Sequence, residues 1–150
     1  MEDTIRKPTG KLSWVLYDEA TGKIKETGTV MNQVQDAHND AVAAQVEETP
    51  AQASGLYQYM WVGTGALGGT AATNLTTPVA GGRQAVTSST AAANIVTTIA
   101  TLAAGTGTGV LTEAGMFITN AGADMMCGAT IAVTKAAGDA LTLTWAVTYN

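Results

Sequence analysis

The C-terminal stretch Leu141-Thr142-Leu143-Thr144-Trp145-Ala146-Val147-Thr148-Tyr149 decides the fold class. Its large apolar side chains alternate with Thr and Ala, and this period of two is typical of a β-strand with one buried face. Residues 130–134 repeat the alternation, and residues 135–140 between the two runs contain the turn pair Gly138-Asp139. The C-terminal region is therefore predicted to be a β-hairpin.

Shorter runs rich in β-branched and aromatic residues predict further strands. These predicted strands cover residues 12–17, 23–30, 56–62, 83–88, 95–102 and 115–118. The first two form a hairpin across the turn 18–22, and the third has apolar side chains on both faces. Many short strands with glycine-rich turns indicate an all-β domain of the β-sandwich or jelly-roll type. We expect its core to contain Trp14, Trp61, Phe117, Ile131, Val133, Leu143 and Trp145.

One short N-terminal segment has a helical period instead. From Asn32, a suitable N-cap, small apolar residues recur at spacings of three and four, while amides and acids occupy the other face. This pattern predicts a helix over residues 32–46 and a connecting loop over residues 47–55. Residues 1–10 are expected to form an N-terminal arm, and residues 11–150 a single domain.

The charged residues are unevenly distributed along the chain. Fourteen of the nineteen charged residues lie in the first fifty positions, and no acid occurs between Pro50 and Thr112. An ordinary solvated surface is about 25–35% charged, so we expect much of the second region to be covered by other protein. The net charge of -5 argues against binding to nucleic acid.

A single cysteine and a single histidine limit the available chemistry. Cys127 cannot form an internal disulfide, and Cys127 with His38 cannot complete a zinc site of nitrogen and sulfur ligands. The first residues lack the basic and apolar parts of a signal peptide, and no run is apolar enough to cross a membrane. We expect a protein made in a cytoplasm and not exported by the usual route, with no cofactor, metal or membrane partner.

His38 and Cys127 are also the residues on which an enzyme would depend. Asp36 and Asp40 lie two positions from His38, and residues at that spacing on a helix do not face each other. We therefore expect His38 to be solvated or at an interface, and Cys127 to be a small buried hydrophobe. The sequence predicts no catalytic residue, and a small enzyme using His38 or Cys127 is the weakest alternative.

Two glycine-rich segments are candidates for contact surfaces. Residues 63–68 match G-x-G-x-x-G, but the following residues make a poor helix and no acid lies about twenty residues on, so a dinucleotide site is not indicated. Residues 105–109 alternate Gly and Thr, and glycine lets a chain pass close to other backbones. We expect the loops 63–69 and 105–109 to form contacts with other proteins.

Three C-terminal motifs resemble a known family. They are Leu111-Thr112-Glu113-Ala114-Gly115-Met116-Phe117, Met125-Met126-Cys127-Gly128-Ala129-Thr130 and Lys135-Ala136-Ala137-Gly138-Asp139-Ala140-Leu141-Thr142-Leu143-Thr144-Trp145. They resemble the C-terminal signature of a family of tailed-bacteriophage virion structural proteins. Tyr59-Met60-Trp61-Val62-Gly63-Thr64-Gly65 and the hairpin before Asn32 are similar to upstream parts of that family, so the resemblance spans residues 11–150. Many such sequences have Arg where this chain has Cys127-Gly128.

The resemblance implies a location on a virus particle. Similar proteins are head decoration or cement proteins, which bind the outer surface of the icosahedral head and stabilise contacts between major capsid subunits. The charge-poor surface favours this function, since charge is depleted at the cores of protein interfaces. The symmetry of a shell favours a homotrimer over a dimer. Related modules occur in tail fibres and collars, so an appendage protein is the nearest alternative, in which exposed aromatic residues such as Tyr57 and Tyr59 would bind tail components or host glycans.

Overall fold

The computed structural model describes residues 8–38, 55 and 57–149, and these residues are almost entirely β-structure. The strands are β1 (Thr9–Asp18), β2 (Ile24–Val34), β3 (Tyr59–Gly63), β4 (Gln84–Ala85), β5 (Ser88–Ala92), β6 (Ile95–Leu102), β7 (Gly109–Phe117), β8 (Met125–Lys135) and β9 (Asp139–Thr148). The prediction of an all-β fold is confirmed. The predicted hairpin of β1 with β2 is present. The predicted C-terminal hairpin is wrong, because β8 pairs with β7 and β2 whereas β9 pairs with β1 and β6, so the turn 136–138 carries the chain from one half of the sheet to the other.

The nine strands form one antiparallel sheet that curls over its own core, in the order β4-β3-β7-β8-β2-β1-β9-β6-β5. The C-terminal strand β9 lies between β1 and β6. It pairs with β1 along its whole length, from Asp139 opposite Asp18 to Thr148 opposite Thr9, and with β6 from Leu141 to Thr148. Its alternating pattern follows from this position, because one face of β9 covers the core and the other does not.

Two segments of the chain, β2 and residues 84–92, turn the corners of the curled sheet. β2 pairs with β1 through most of its length and then with β8 through Gln33 and Val34. At the opposite corner, β4 pairs with β3 and β5 pairs with β6. Between them Val86 N donates to Gln58 O at 2.9 Å and Thr87 N donates to Ile99 O at 2.8 Å. The continuous segment 84–92 therefore joins the two ends of the sheet, as corner strands do in packed sheets.

The core lies between the two halves of the curled sheet. Leu12, Leu141 and Leu143 face it from one half, and Met60, Leu111 and Met116 are buried in the other half. All seven residues predicted for the buried core are buried, with Trp14 the most exposed of them at 7%. Burial of large apolar side chains is the main favourable contribution to the stability of the fold.

A long loop, residues 64–83, adds a further layer over the outer face of β3, β7 and β8. Trp61 Nε1 donates to Val79 O at 2.8 Å, and Leu75 in the loop is buried. Gly128 of β8 lies beneath the Leu67 side chain, where a Cβ would come within 2.8 Å of Leu67 Cδ1. This layer explains why β3 is buried on both faces, as its sequence predicts.

The N-terminal boundaries differ from the sequence prediction. Asn32 does not cap a helix but lies in β2 opposite Gly10, and the described helical residues are 36–38. Pairing of β2 with β1 and β8 outweighs the weak helical period of this segment. Thr9 and Gly10 belong to β1 and not to an arm. Residues 39–54, which include most of the predicted helix and loop, lie outside the described residues.

Candidate interaction surface

The structure brings the two glycine-rich loops together at one end of the curled sheet. β3 ends at Gly63 and β7 begins at Gly109, and these two strands are neighbours. A Cβ on Gly109 would lie 3.9 Å from Thr64 Cγ2, and one on Gly107 would lie 3.2 Å from Val62 Cγ2. We call this end, formed by residues 63–66, 103–109 and 136–138, the glycine end. Residues 67–69 continue over β8 to the corner turned by β2, where Gln33 Nε2 donates to Gly68 O at 2.6 Å.

Backbone hydrogen bonds connect the turns of the glycine end. Gly105 N donates to Ala137 O at 2.7 Å, and Glu19 N donates to Gly138 O at 3.1 Å. The Glu19 carboxylate accepts a hydrogen bond from Ala104 N. The loops are thus fixed to one another, so that this end presents a defined surface.

Glycine is required at specific points of this surface. Gly107 is buried and has a φ of 63°, a left-handed conformation that other residues rarely adopt. A Cβ there would also lie 2.6 Å from Leu102 Cδ2. At Gly63 a Cβ would come within 2.6 Å of Thr77 O. The regular glycines therefore allow close approach of backbones beneath the surface.

Glu113 anchors the loop 63–69 from below. Its side chain is completely buried in β7. The carboxylate accepts hydrogen bonds from the backbone N–H groups of Gly65 at 3.3 Å, Thr76 at 2.9 Å and Thr77 at 2.7 Å. These three donors compensate for the removal of the charge from water. Glu113 therefore determines where the loop lies relative to the sheet.

The exposed side chains of the glycine end are small and uncharged. They are Thr64, Ala66, Ala103, Ala104, Thr108, Ala136 and Ala137. Two exposed ionised groups border these side chains: Glu19, whose carboxylate accepts a hydrogen bond from Ala104 N, and Lys25, which is paired within the protein. Lys25 Nζ and Asp139 Oδ1 are 2.6 Å apart, and this contact raises the pKa of Lys25 and lowers that of Asp139. The buried Lys135 Nζ donates to Ala103 O at 3.0 Å, and burial lowers its pKa.

His38 is not solvated, so that part of the sequence prediction is wrong. Its side chain is completely buried, and Nε2 is hydrogen-bonded to the Tyr57 hydroxyl, which is in turn hydrogen-bonded to the Tyr149 hydroxyl. Burial lowers the pKa of His38 to about 4, so the imidazole is neutral at pH 7. The three rings join the last of the described helical residues, the segment before β3 and the end of β9.

Cys127 lies in the core, as its sequence context predicts. Burial raises the pKa of the thiol to about 12. A thiol with this pKa is protonated at neutral pH, and the thiolate is the nucleophilic form. The side chain therefore acts as a small apolar group in this environment.

The glycine motif and the candidate metal ligands were the sequence features considered for cofactor binding. The G-x-G-x-x-G segment follows β3 but continues into the loop 64–83 and not into a helix. In the described part of the chain, no three His, Cys, Asp or Glu side chains are grouped as metal ligands would be. Over the same residues, the structure contains no helix with the length and hydropathy of a membrane span.

A concave surface, separate from the glycine end, lies at the corner formed by β4 and β5. This cleft of about 540 Å³ is lined by Tyr57, Tyr59, Gln58, Ser89 and Tyr149, among others. Tyr57 is only 6% exposed, so it is a buried member of the tyrosine pair and not the exposed aromatic residue that the appendage alternative expects. Tyr59 is half-buried at the cleft.

Sequence reasoning identified the two loops but missed the groups that hold them. Glu113 is the first acid after a stretch of more than sixty residues without one, and it lies in an otherwise apolar strand, which was the available signal. The His38–Tyr57–Tyr149 cluster had no such signal, because its members are 19 and 92 residues apart. Searches of protein-family models, curated proteins and solved structures found no match to this chain.

Proposed function

We propose that the protein is a decoration or cement protein of a tailed bacteriophage, which binds the outer surface of the icosahedral head and stabilises contacts between major capsid subunits. The observation that carries this proposal is the glycine end. Its uncharged, small side chains lie on loops that are fixed by backbone hydrogen bonds and by Glu113. A rigid neutral surface can bind another protein with little desolvation of charge and little ordering of loops.

The role requires no chemical step from the protein. A copy that binds only the assembled shell shifts the equilibrium toward that shell, and many copies on a symmetric particle add their effects. The resemblance of the β7, β8 and β9 motifs to phage virion proteins supports the same function. The third of these motifs contains the turn 136–138 of the glycine end, whereas residues 125–130 of the second lie toward the other end of β8.

Labelling of particles tests the location. We expect gold-labelled antibodies against the protein to mark the heads of particles purified from the source of the sequence, in negative stain. Labelling of tails alone would support the appendage alternative. The cleft lined by Tyr57, Tyr59 and Tyr149 would then be the surface to examine. Intact particles without label would contradict both functions.

A pair of variants tests the surface. Ala66→Lys places a charge on the glycine end, whereas Ala121→Lys places the same charge on an exposed position of the turn after β7, at the other end of the sheet. We expect Ala66→Lys to reduce binding to undecorated heads at least tenfold and Ala121→Lys to bind as the unmodified protein does. Equal binding by both variants would exclude the glycine end as the contact.

A further inference from the structure

The two halves of the curled sheet differ on their outer faces. The loop 64–83 lies over β3, β7 and β8, and its Leu75 is buried there. The other half consists of β2, β1, β9, β6 and β5. Its outward residues, such as alternate residues of 9–17 in β1 and of 95–101 in β6, are exposed or half-buried in the described part of the chain. We call the outer side of these five strands the open face.

The open face is almost without charge. Lys11 lies between Met31 of β2 and Ala146 of β9, and it is the one charged residue at the outward positions that the strand registers define. Met31, Ile24 and Ile95 on this face are large apolar side chains that the fold leaves exposed. An ordinary solvated surface is about 25–35% charged. The composition of the open face therefore favours contact with protein over contact with water.

Hydroxyl groups of the open face bond to one another across the strands. Ser13 Oγ and Thr29 Oγ1 are 3.1 Å apart, and Thr101 Oγ1 and Thr142 Oγ1 are 3.0 Å apart. Burial of a polar group is costly mainly when the group has no hydrogen-bond partner. These hydroxyls can therefore be covered by protein without being left unpaired.

The size of the open face matches one side of a stable interface. β1 and β9 each have ten residues, and five strands lie side by side. At ordinary strand spacings the face is about 24 Å wide and about 30 Å long, or about 700 Å². A stable complex of standard size buries about 800 Å² on each partner.

The open face is complementary to a second copy of itself. A neutral face meets its own copy without repulsion between like charges, and no acid of the described residues occupies an outward position on it. Ser13 is the middle outward residue of β1, and Thr144 of β9 lies opposite it. A two-fold axis at this pair puts the Lys11 side chains of the two copies on opposite sides of the axis.

We propose that two copies of the chain pack their open faces together about a two-fold axis near Ser13 and Thr144. Sheets pack face to face about 10 Å apart, and both copies use the same surface. This symmetry favours a dimer over the trimer that shell symmetry alone predicts. The turns of each glycine end stay accessible, because they lie beyond the ends of the strands. The inference goes beyond the proposed function, since the contact requires no capsid protein.

Analytical ultracentrifugation of the purified full chain tests the contact. Thr144→Lys places a charge at the centre of the open face, and Thr130→Lys places the same charge on an exposed position of β8, in the other half of the sheet. We expect the unmodified protein and Thr130→Lys to sediment as dimers. The dissociation constant of Thr144→Lys should rise about a hundredfold, because like charges meet at the contact. Ser13→Lys should have the same effect, and circular dichroism verifies that each variant is folded.

An exchange of charges tests the two-fold axis. Thr144→Glu alone should also dissociate, whereas its equimolar mixture with Thr144→Lys should restore the dimer, because opposite charges then meet across the axis. A mixture that stays monomeric would overturn the proposed arrangement. So would an unmodified protein that is a monomer or a trimer, or a Thr144→Lys variant that dimerises as the unmodified protein does. None of these outcomes bears on capsid binding, which the labelling of particles tests separately.

Discussion

Glu113 shows how one buried carboxylate can determine the position of a loop. The isosteric change Glu113→Gln removes the charge and directs an amide N–H₂ group toward some of the backbone donors that now bind an oxygen. We expect the free energy of unfolding to fall by about 2 kcal/mol, the typical cost of an unsatisfied buried group. Urea denaturation at pH 7 measures the change. Glu26→Gln, on an exposed part of β2, is the matched control and should leave stability within about 0.5 kcal/mol.

His38 should make the protein sensitive to acid. Its folded-state pKa of about 4 lies below the ordinary imidazole pKa of 6.5, because burial disfavours the charged form, so folding favours the neutral imidazole. Stability is therefore complete above pH 6.5 and decreases as the pH falls from 6.5 to 4. The total loss is about 3 kcal/mol, because each unit of pKa shift corresponds to about 1.4 kcal/mol.

The variant His38→Gln isolates this contribution. Denaturation measured from pH 7 to pH 4 should show a shallower decrease in stability for the variant than for the unmodified protein, since Gln does not titrate. The groups that face the imidazole are the hydroxyls of Tyr57 and Tyr149, with Cys127 close to both. Identical pH profiles for the two proteins would show that the imidazole does not control acid stability.

At the scale of the element, the glycines of the loop 105–109 are not equivalent to those of other turns. Gly107→Ala forces a side chain into a left-handed backbone and against Leu102, so we expect a loss of about 1–3 kcal/mol. Gly138→Ala, in the turn between β8 and β9, meets no atom within 4 Å and should change stability much less. Thermal unfolding of the two variants compares them directly, and equal midpoints would contradict the argument.

The elements that could be predicted from the sequence are strands in which apolar and polar residues alternate because one face is buried. β9 and residues 129–134 of β8 are examples, because their apolar side chains alternate toward the core. The pattern of residues 32–46 was weaker, and Asn32 joined β2 because β1 and β8 supply hydrogen-bonding partners that local sequence does not reveal. The loops of the glycine end could be named from their glycines. Their common location could not, because it depends on the pairing of β3 with β7.

At the scale of the whole molecule, closure of the sheet depends on the segment 84–92. Val86→Pro removes the N–H group that donates to Gln58 O and should separate this segment from β3. We expect faster hydrogen exchange of backbone amides in β3 and in β6, at both ends of the sheet. Val86→Ala retains the N–H group and serves as the control. Unchanged exchange in either β3 or β6 for the proline variant would show that the closure does not couple the two ends.

The position of β9 between β1 and β6 also has a consequence for synthesis of the chain on the ribosome. β1 and β6 are separated by more than seventy residues and have no direct pairing; β9 alone connects them. Until residue 148 has left the exit tunnel, β1 can pair only with β2, and β6 only with β5. Until β9 has been synthesised, each of these two hairpins therefore keeps an unpaired edge at the position that β9 later fills, so the sheet between β1 and β6 forms last.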